Sequence, residues 1–420
     1  MALEITAARP DPALLDLPWS VPLEDWPGEH LAALPRGISR HVVRFVKVSG
    51  TVIAVKEIKA DVALREYNML RFLQKIGQPC VQPFGVVSGR LDTDGQELDA
   101  CLLTHHLHFS LPYRALFSQS LRPDTAQRLI DALAVLLVRL HLAGFWWGDV
   151  SLSNTLFRRD AGAYAAYLVD AETGEIQSTL SKGQREHDLD IAQVNIAGEL
   201  MDLAAGGLLS PAVDPIEVSQ TIVDRYRSLW RELTGREKFE EGCRWRVDER
   251  IRRLNELGFD VDELTISTDL GGATIQIQPK VVDAGHHSRR LMRLTGLDVQ
   301  ENQARRLLND LDSFRASQDR QNDDEALVAH DWLSQVYEPV TRTVPRDLNR
   351  KLEPAEVFHE VLEHRWYMSE DAGHDIPIRD VIADYLKNVL PGKPDEAAVL
   401  GVDTIGAPEA TSPAPESPGR

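Results

Sequence analysis

The chain has 420 residues, long enough for two or three domains at roughly 100–200 residues each. Its formal charge of −19, from 46 Lys+Arg against 65 Asp+Glu, argues against a general nucleic-acid or anionic-membrane binder, which needs a net basic face. Cys80, Cys101 and Cys243 form no CxxC pair, which argues against a disulfide framework or structural zinc site and for a reducing cytoplasm.

Residues 1–35 are rich in Pro, Trp and acid and are expected to form an irregular lead-in. From Val42 to Lys59 two β-rich runs flank Ser49-Gly50, which predicts a hairpin. Asp61 to Ile76 is predicted helical, with Leu64, Tyr67, Leu70, Leu73 and Ile76 on one face. Gly77 and Pro79 end it. Cys80–Val87 and Asp99–Thr104 are predicted as two further strands. Thr125–Leu142 is a helix apolar nearly all round, hence central. The most apolar stretch, Leu129 to Trp147, is broken by Asp131, Arg139 and His141. A span needs about 20 mainly apolar residues, so this stretch is a buried helix.

A loop at Trp146–Asn154, short strands at Thr155–Phe157 and Tyr167–Val169, and a helix at Ala192–Ala205 follow. Strands dominate the first hundred residues and helices the rest, the order of a small sheet-rich lobe followed by a helical one. The second half is expected to be mostly helical, at Glu217–Leu233, Glu240–Leu257, Val299–Phe314, Asp323–Tyr337, Pro354–Trp366 and Ile378–Leu390. Thr265–Val282 alternates, as a strand or hairpin does. From Pro391 the chain is poor in large apolar residues, which predicts disorder.

The candidate chemistry is concentrated in the first half. Asp149 and Asn154 lie five apart, directly after the central helix. That spacing lets an Asp orient an attacking hydroxyl while an Asn further along the loop holds Mg²⁺. Sixteen residues on, Tyr167-Leu168-Val169 feeds Asp170, a candidate Mg²⁺ ligand, with Glu172 as a further oxygen donor. Upstream, Val52-Ile53-Ala54-Val55-Lys56 is a strand whose Lys56 can neutralise nucleotide phosphates. Glu66, on the next helix, is its candidate partner. The rival, Glu57, neighbours Lys56 on a strand and so points to the opposite face. Each piece alone has an ordinary explanation as a turn, a solvated lysine, a helix face or a strand end. The specificity lies in the ordered set.

On these residues the first half, roughly 36–208, resembles the protein-kinase-like superfamily in its lipopolysaccharide-kinase and aminoglycoside-phosphotransferase-like wing. The whole chain, through SLPYRALF, ENQARRLLNDL and LEPAEVFHEVLEHRWYMSE, resembles a bacterial family that joins such a half to a C-terminal domain of unknown function. The resemblance implies an α+β fold: a bilobal kinase-like domain over 36–208, a mostly helical domain over 215–390 and a disordered tail over 391–420. It implies ATP and Mg²⁺ as cofactors, with Lys56, Glu66 and Asp149 in catalytic roles and Asn154, Asp170 and Glu172 at the metal. It makes Leu103–Leu107 the hinge, with Thr104, His105 and His106 beside adenine, and gives Asp188 or Asp190 the support of the catalytic loop.

The glycine-rich loop departs from the family pattern. Gly37 stands alone, so Gly37, Ser39 and nearby N–H groups are expected to meet the phosphates. Trp147-Gly148 replaces His-Arg before Asp149, Ala171-Glu172 replaces Phe-Gly after Asp170, and no A-P-E ends an activation loop. A small-molecule, glycan or lipid hydroxyl is therefore favoured over a protein acceptor.

The resulting expectation is an Mg²⁺/ATP-dependent phosphotransferase in the cytoplasm without a membrane span. The alternatives are a nucleotide-sensing pseudokinase whose C-terminal domain binds a partner, and an interaction protein without a nucleotide site. Three weaker signals stand beside this. His359 and Glu363 share a helix face and could hold a metal, or simply face solvent. His106 and His108 share a strand face. Lys280 to Arg306 is locally basic and could bind a phosphate effector, though pairing with the chain's excess acid is favoured.

Overall fold

The computed structural model describes residues 3–32, 41–118, 124–240, 245–268 and 274–397. Its first layer is a five-stranded antiparallel sheet in the order β1-β4-β5-β3-β2. The strands are β1 (Glu4–Ala7), β2 (Val43–Val48), β3 (Thr51–Ile58), β4 (Pro83–Ser88) and β5 (Ala100–His105), with α1 (Ala60–Lys75) between β3 and β4. The expected hairpin is β2–β3, paired from Val43↔Lys56 to Val48↔Thr51.

Two expectations are corrected here. The lead-in is not irregular throughout: β1 adds an edge strand to β4, and Leu14, Trp19, Leu23 and Trp26 are buried against the sheet with Val46, Ile53, Val55 and Leu103. Tryptophan burial, rather than strand propensity, organises this segment. The buried face of α1 is also rotated from the expected one. Ala63, Glu66, Tyr67, Leu70 and Leu73 are buried, whereas Leu64 and Ile76 are exposed. A carboxylate, Glu66, thus occupies a place that an apolar pattern assigned to leucine.

The second layer is built on α3 (Asp124–Leu142), buried on nearly every side as its composition demands. Around it lie β6 (Ser110–Pro112), α2 (Tyr113–Ser118), β7 (Phe145–Trp146), β8 (Thr155–Asp160), β9 (Ala163–Leu168), β10 (Glu175–Ile176) and α4 (Lys182–Ala205). β8 and β9 are longer than the short strands expected and form a hairpin closed by Ala161-Gly162, with β6 on its other edge. α4 begins ten residues before the expected start at Ala192, with Ser181 and Gln184 forming a capping box.

The expected division near residues 208–215 does not separate two cores. α5 (Pro215–Thr234) packs on α3 and α4. Ile222, Val223, Tyr226 and Leu233 share one apolar core with Leu133, Leu137, Leu189 and Ile196. Leu254 of α6 (Trp245–Glu256) and Phe259 of β12 (Phe259–Thr268) join the same core. β12 pairs with β13 (Thr274–Ala284), which also pairs with β11 (Glu237–Glu240). The helix expected at Glu240–Leu257 is therefore shorter and preceded by a strand.

A second apolar core starts at Leu291. It is formed by α7 (His286–Thr295), α8 (Glu301–Ser317), α9 (Glu325–Trp332), α10 (Glu338–Arg342), α11 (Pro354–Ala372) and α12 (Ile378–Asn388). Trp332 and Phe358 lie at its centre, fully buried. The tail is ordered beyond the expected limit of Pro391: Leu390 is buried, and Glu396 is 3% exposed and ion-paired to Arg159. Residues 398–420 lie outside the described part of the chain.

Candidate functional site

The alternation of β3 sorts two adjacent charges. Glu57 faces the lead-in, where it accepts from Arg90 (2.6 Å) and the Leu23 N–H (3.2 Å). Lys56 faces the cleft between the two layers. Its Nζ lies 2.8 Å from Asp170 Oδ2, 3.1 Å from Glu66 Oε2 and 3.3 Å from Glu172 Oε2. Glu66 also accepts from the Ala171 N–H at 3.3 Å, which ties α1 to the segment after β9. Burial works to lower the pKa of Lys56, but Glu66 and Asp170 outweigh it and hold the ammonium charged. Glu66 responds in the other sense: burial, then the Asp170 charge, push its carboxyl up to about 7.

Asp149 and Asn154 come together as their spacing predicts. Asn154 Nδ2 donates to Asp149 Oδ2 and to the Asp149 carbonyl, both at 3.0 Å. The Val169 N–H donates to the Asn154 carbonyl (3.0 Å), and Trp147 Nε1 donates to the Asp170 carbonyl (3.0 Å). The loop carrying Asp149 is thereby fixed to the strand carrying Asp170.

Of the two aspartates proposed as the loop's support, the structure uses Asp188. It accepts from the Trp147 N–H (2.9 Å), the Gly148 N–H (2.8 Å) and His141 Nε2 (3.0 Å), and is fully buried. His141 Nδ1 in turn meets the Tyr226 hydroxyl at 2.7 Å. Gly148 sits at φ +75, so the turn that presents Asp149 suits glycine. The two residues replacing His-Arg thus keep the loop anchored through backbone N–H groups.

The cleft has a volume of about 500 Å³, and Lys56, Thr104, His106, Asp149, Asn154 and Asp170 are among its lining residues. Thr104 and His105 pair with Ala54 and Ile53 on β3. The His105 N–H donates to Gln82 and the His106 N–H to Val52. These two amides are therefore used within the sheet, and a base lying there would meet side chains and other backbone groups instead. Burial lowers the pKa of His105; burial and the neighbouring His108 lower that of His106 to about 4. Gly37 and Ser39 lie outside the described residues.

Glu66, Asp170 and Glu172 place carboxylate oxygens within 4.8 Å of one another. Three carboxylates against one ammonium leave the cluster acid-rich, which fits a divalent cation with oxygen ligands. Asp170 and Glu172 belong to the expected metal set. Asn154 lines the same cleft, with its amide nitrogen turned to Asp149. Among the described residues, this cluster includes neither His359 nor Glu363.

The basic segment is largely paired. Arg289 bonds Asp260 (2.5 Å), Arg290 bonds Glu325, and His287 bonds Glu301 (2.8 Å). Sequence reasoning missed His41, whose Nε2 lies 3.0 Å from Glu172, and Arg65, which donates to the Glu172 carbonyl at 2.7 Å. It also missed Asn195, which donates to Asp149 Oδ1 (3.2 Å), and Glu199, which accepts from the Leu152 (2.8 Å) and Ser153 (2.9 Å) N–H groups. Asp188, Asn195 and Glu199 repeat at 7 and 4 along α4, a polar stripe visible once the helix is started at residue 182.

Residues 48–196 match the lipopolysaccharide kinase (Kdo/WaaP) family, and residues 228–390 match a domain of unknown function, DUF4032. A solved structure titled "WaaP in complex with acyl carrier protein" is similar at 16% identity and a TM-score of 0.32, over 55% of this chain and 99% of that one. No curated protein matches. Among the described residues no helix is long and apolar enough to cross a membrane.

Proposed function

With its N-terminal region in the kinase-like, lipopolysaccharide-kinase superfamily, we propose that this protein is an Mg²⁺/ATP-dependent phosphotransferase acting on a hydroxyl of a small molecule, glycan or lipid. The observation that carries this reading is Lys56 bridging Glu66 and Asp170 across a cleft from the Asp149–Asn154 pair. Asp170, Glu172 and Asn154 would hold Mg²⁺, which when bound supplies charge neutralisation on the transferring phosphoryl group. Lys56, held by Glu66, contacts the nucleotide phosphates. Asp149, oriented by Asn154 and Asn195, accepts a hydrogen bond from the acceptor hydroxyl and takes its proton as the new P–O bond forms and the bond from the γ-phosphorus to the β–γ bridging oxygen breaks, with ADP leaving. Asp188 holds the loop so that Asp149 needs no reorganisation during transfer. The protein's contribution is positioning and preorganised charge.

The test is Asp149→Asn. Loss of γ-phosphate release from ATP with retained nucleotide binding is expected; release at the wild-type rate contradicts the assignment. A second reading, a nucleotide-responsive scaffold, draws on the used amides of His105 and His106. It requires that wild type bind ATP yet release no phosphate to water or to any hydroxyl acceptor offered.

A further inference from the structure

The C-terminal helical region takes no part in the reaction above, yet it grips the element on which the reaction depends. β8 begins one residue after Asn154, and β9 ends two residues before Asp170. Both residues therefore sit at the base of one hairpin. Its strands have six residues each, roughly 20 Å at about 3.3 Å per residue. The tip lies at the other end, and there the second core takes hold of it.

The hold is polar and directional. Asp160 accepts from the Gln303 N–H (2.7 Å) and from Asn302 Nδ2 (2.9 Å) at the start of α8. Glu356 of α11 accepts from the Ala161 N–H and from Gln303 Nε2, both at 2.9 Å. Gln303 Nε2 also reaches the Arg159 carbonyl at 3.1 Å. Asp160, Gln303 and Glu356 are each no more than 3% exposed. Arg158 and Arg159 extend the hold to Glu353 and Glu396. Nearer the base, the Tyr167 hydroxyl donates to Gln300 at 2.8 Å.

Two features separate this from ordinary packing. First, Asp160, Gln303 and Glu356 are joined in a buried hydrogen-bond network, and such a network tolerates few alternative geometries, so it fixes position rather than merely adding contact. Second, the turn carries Ala161 at φ +50, a left-handed conformation unfavourable for a non-glycine residue, and Glu356 holds the N–H of that residue. β6 pairs with β8 only from Leu156 to Arg158, so towards the tip the hairpin runs on as a two-stranded ribbon, which is readily twisted. Fixing its tip therefore restricts the orientation of its base.

We propose that the C-terminal helical domain is an intramolecular effector of the kinase-like site, holding the hairpin tip so that Asn154 and Asp170 keep their relative placement. Asp160, Gln303 and Glu356 are positioning residues. The effect on phosphotransfer rests on the proposed function; the mechanical coupling does not.

The experiment is hydrogen–deuterium exchange on the full chain, comparing wild type with Asp160→Ala and Asp160→Asn. Asp160→Ala raises exchange at the base amides of Thr155, Leu168 and Val169 about tenfold, while α9 to α12 exchange as in wild type. Asp160→Asn, which keeps one acceptor, restores part of the protection. If Asp160→Ala loosens the whole chain, Glu356→Gln carries the same expectation. Unchanged exchange at the base amides in the folded variants overturns the coupling. A second readout is Mn²⁺ titration in the presence of excess ATP. The half-saturating Mn²⁺ concentration rises about tenfold in Asp160→Ala; equal half-saturation in the two proteins contradicts the positioning role. Failure of wild type to take up Mn²⁺ and ATP would remove the phosphotransferase reading alone, because base exchange still decides the coupling.

Discussion

Two charged clusters lie at opposite ends of the β8–β9 hairpin, and they are built on opposite principles. At the tip, Asp160 and Glu356 are buried, and the protein's own N–H groups and side-chain amides meet their oxygens. At the base, Glu66, Asp170 and Glu172 converge on the single ammonium of Lys56, beside an open cleft. The tip cluster is satisfied from within and its work is architectural. The base cluster carries more negative charge than its neighbours neutralise, and Asp170 and Glu172 remain about a fifth exposed. Carboxylates left under-neutralised at a cleft are poised for a ligand, and the comparison separates a site from a joint without reference to sequence similarity.

Substitutions can break this contrast. The largest effect belongs to the base: Asp149→Asn lowers phosphate release by about 10²–10⁴-fold, the usual weight of a positioned general base, with a thermal midpoint close to wild type. At the tip the balance reverses. Glu356→Ala strands the Ala161 N–H and leaves Gln303 with one acceptor fewer, and costs about 2 kcal/mol of stability in denaturant unfolding.

pH sharpens the same contrast. Burial raises Glu66 to about 7, Asp160 to about 6 and Glu396 to about 7. Each therefore holds a proton in the folded state at pH values where the unfolded chain has released it. The stability these three groups contribute is fully present below the ordinary carboxylate range and is lost as pH rises from about 4.5 to about 7. Thermal melts of wild type against single Gln or Asn variants across that window isolate each share. Mg²⁺ with ATP removes the share due to Glu66 and leaves that of Asp160 and Glu396, and Glu66→Gln flattens the slope by the same share. The smallest effect is expected at the paired basic segment, where Arg290→Ala changes stability by less than about 1 kcal/mol, as partly exposed ion pairs do.

Much of the base was legible in the sequence because its chemistry dictates residue type and order. Lys56 on a strand, Glu66 on the next helix and the Asp149-to-Asn154 interval are the residue types and spacings expected of the proposed phosphotransferase, and the structure brings each pair into contact. The opposite orientation of Glu57 followed from strand alternation alone. The tip was illegible for the converse reason. Asp160 and Glu356 are 196 residues apart in sequence, and each reads as a solvated charge until tertiary structure buries it. The lead-in was misread because its order comes from tryptophan burial, which has no period. α4 was begun ten residues late because Asp188 and its neighbours are polar on the buried side. That error hid the stripe through Asn195 and Glu199 that supports Asp149.

The central claim is that the base cluster binds a metal–nucleotide pair. Thermal-shift titration with ATP, with and without Mg²⁺, on wild type and Asp170→Ala tests it most directly. A site saturated about 100-fold over its Kd adds about 2.7 kcal/mol to the domain that binds, enough to move its midpoint by several degrees. The account predicts a shift in wild type that requires Mg²⁺ and is lost in Asp170→Ala. No shift in wild type, or an equal Mg²⁺-dependent shift in both proteins, contradicts it.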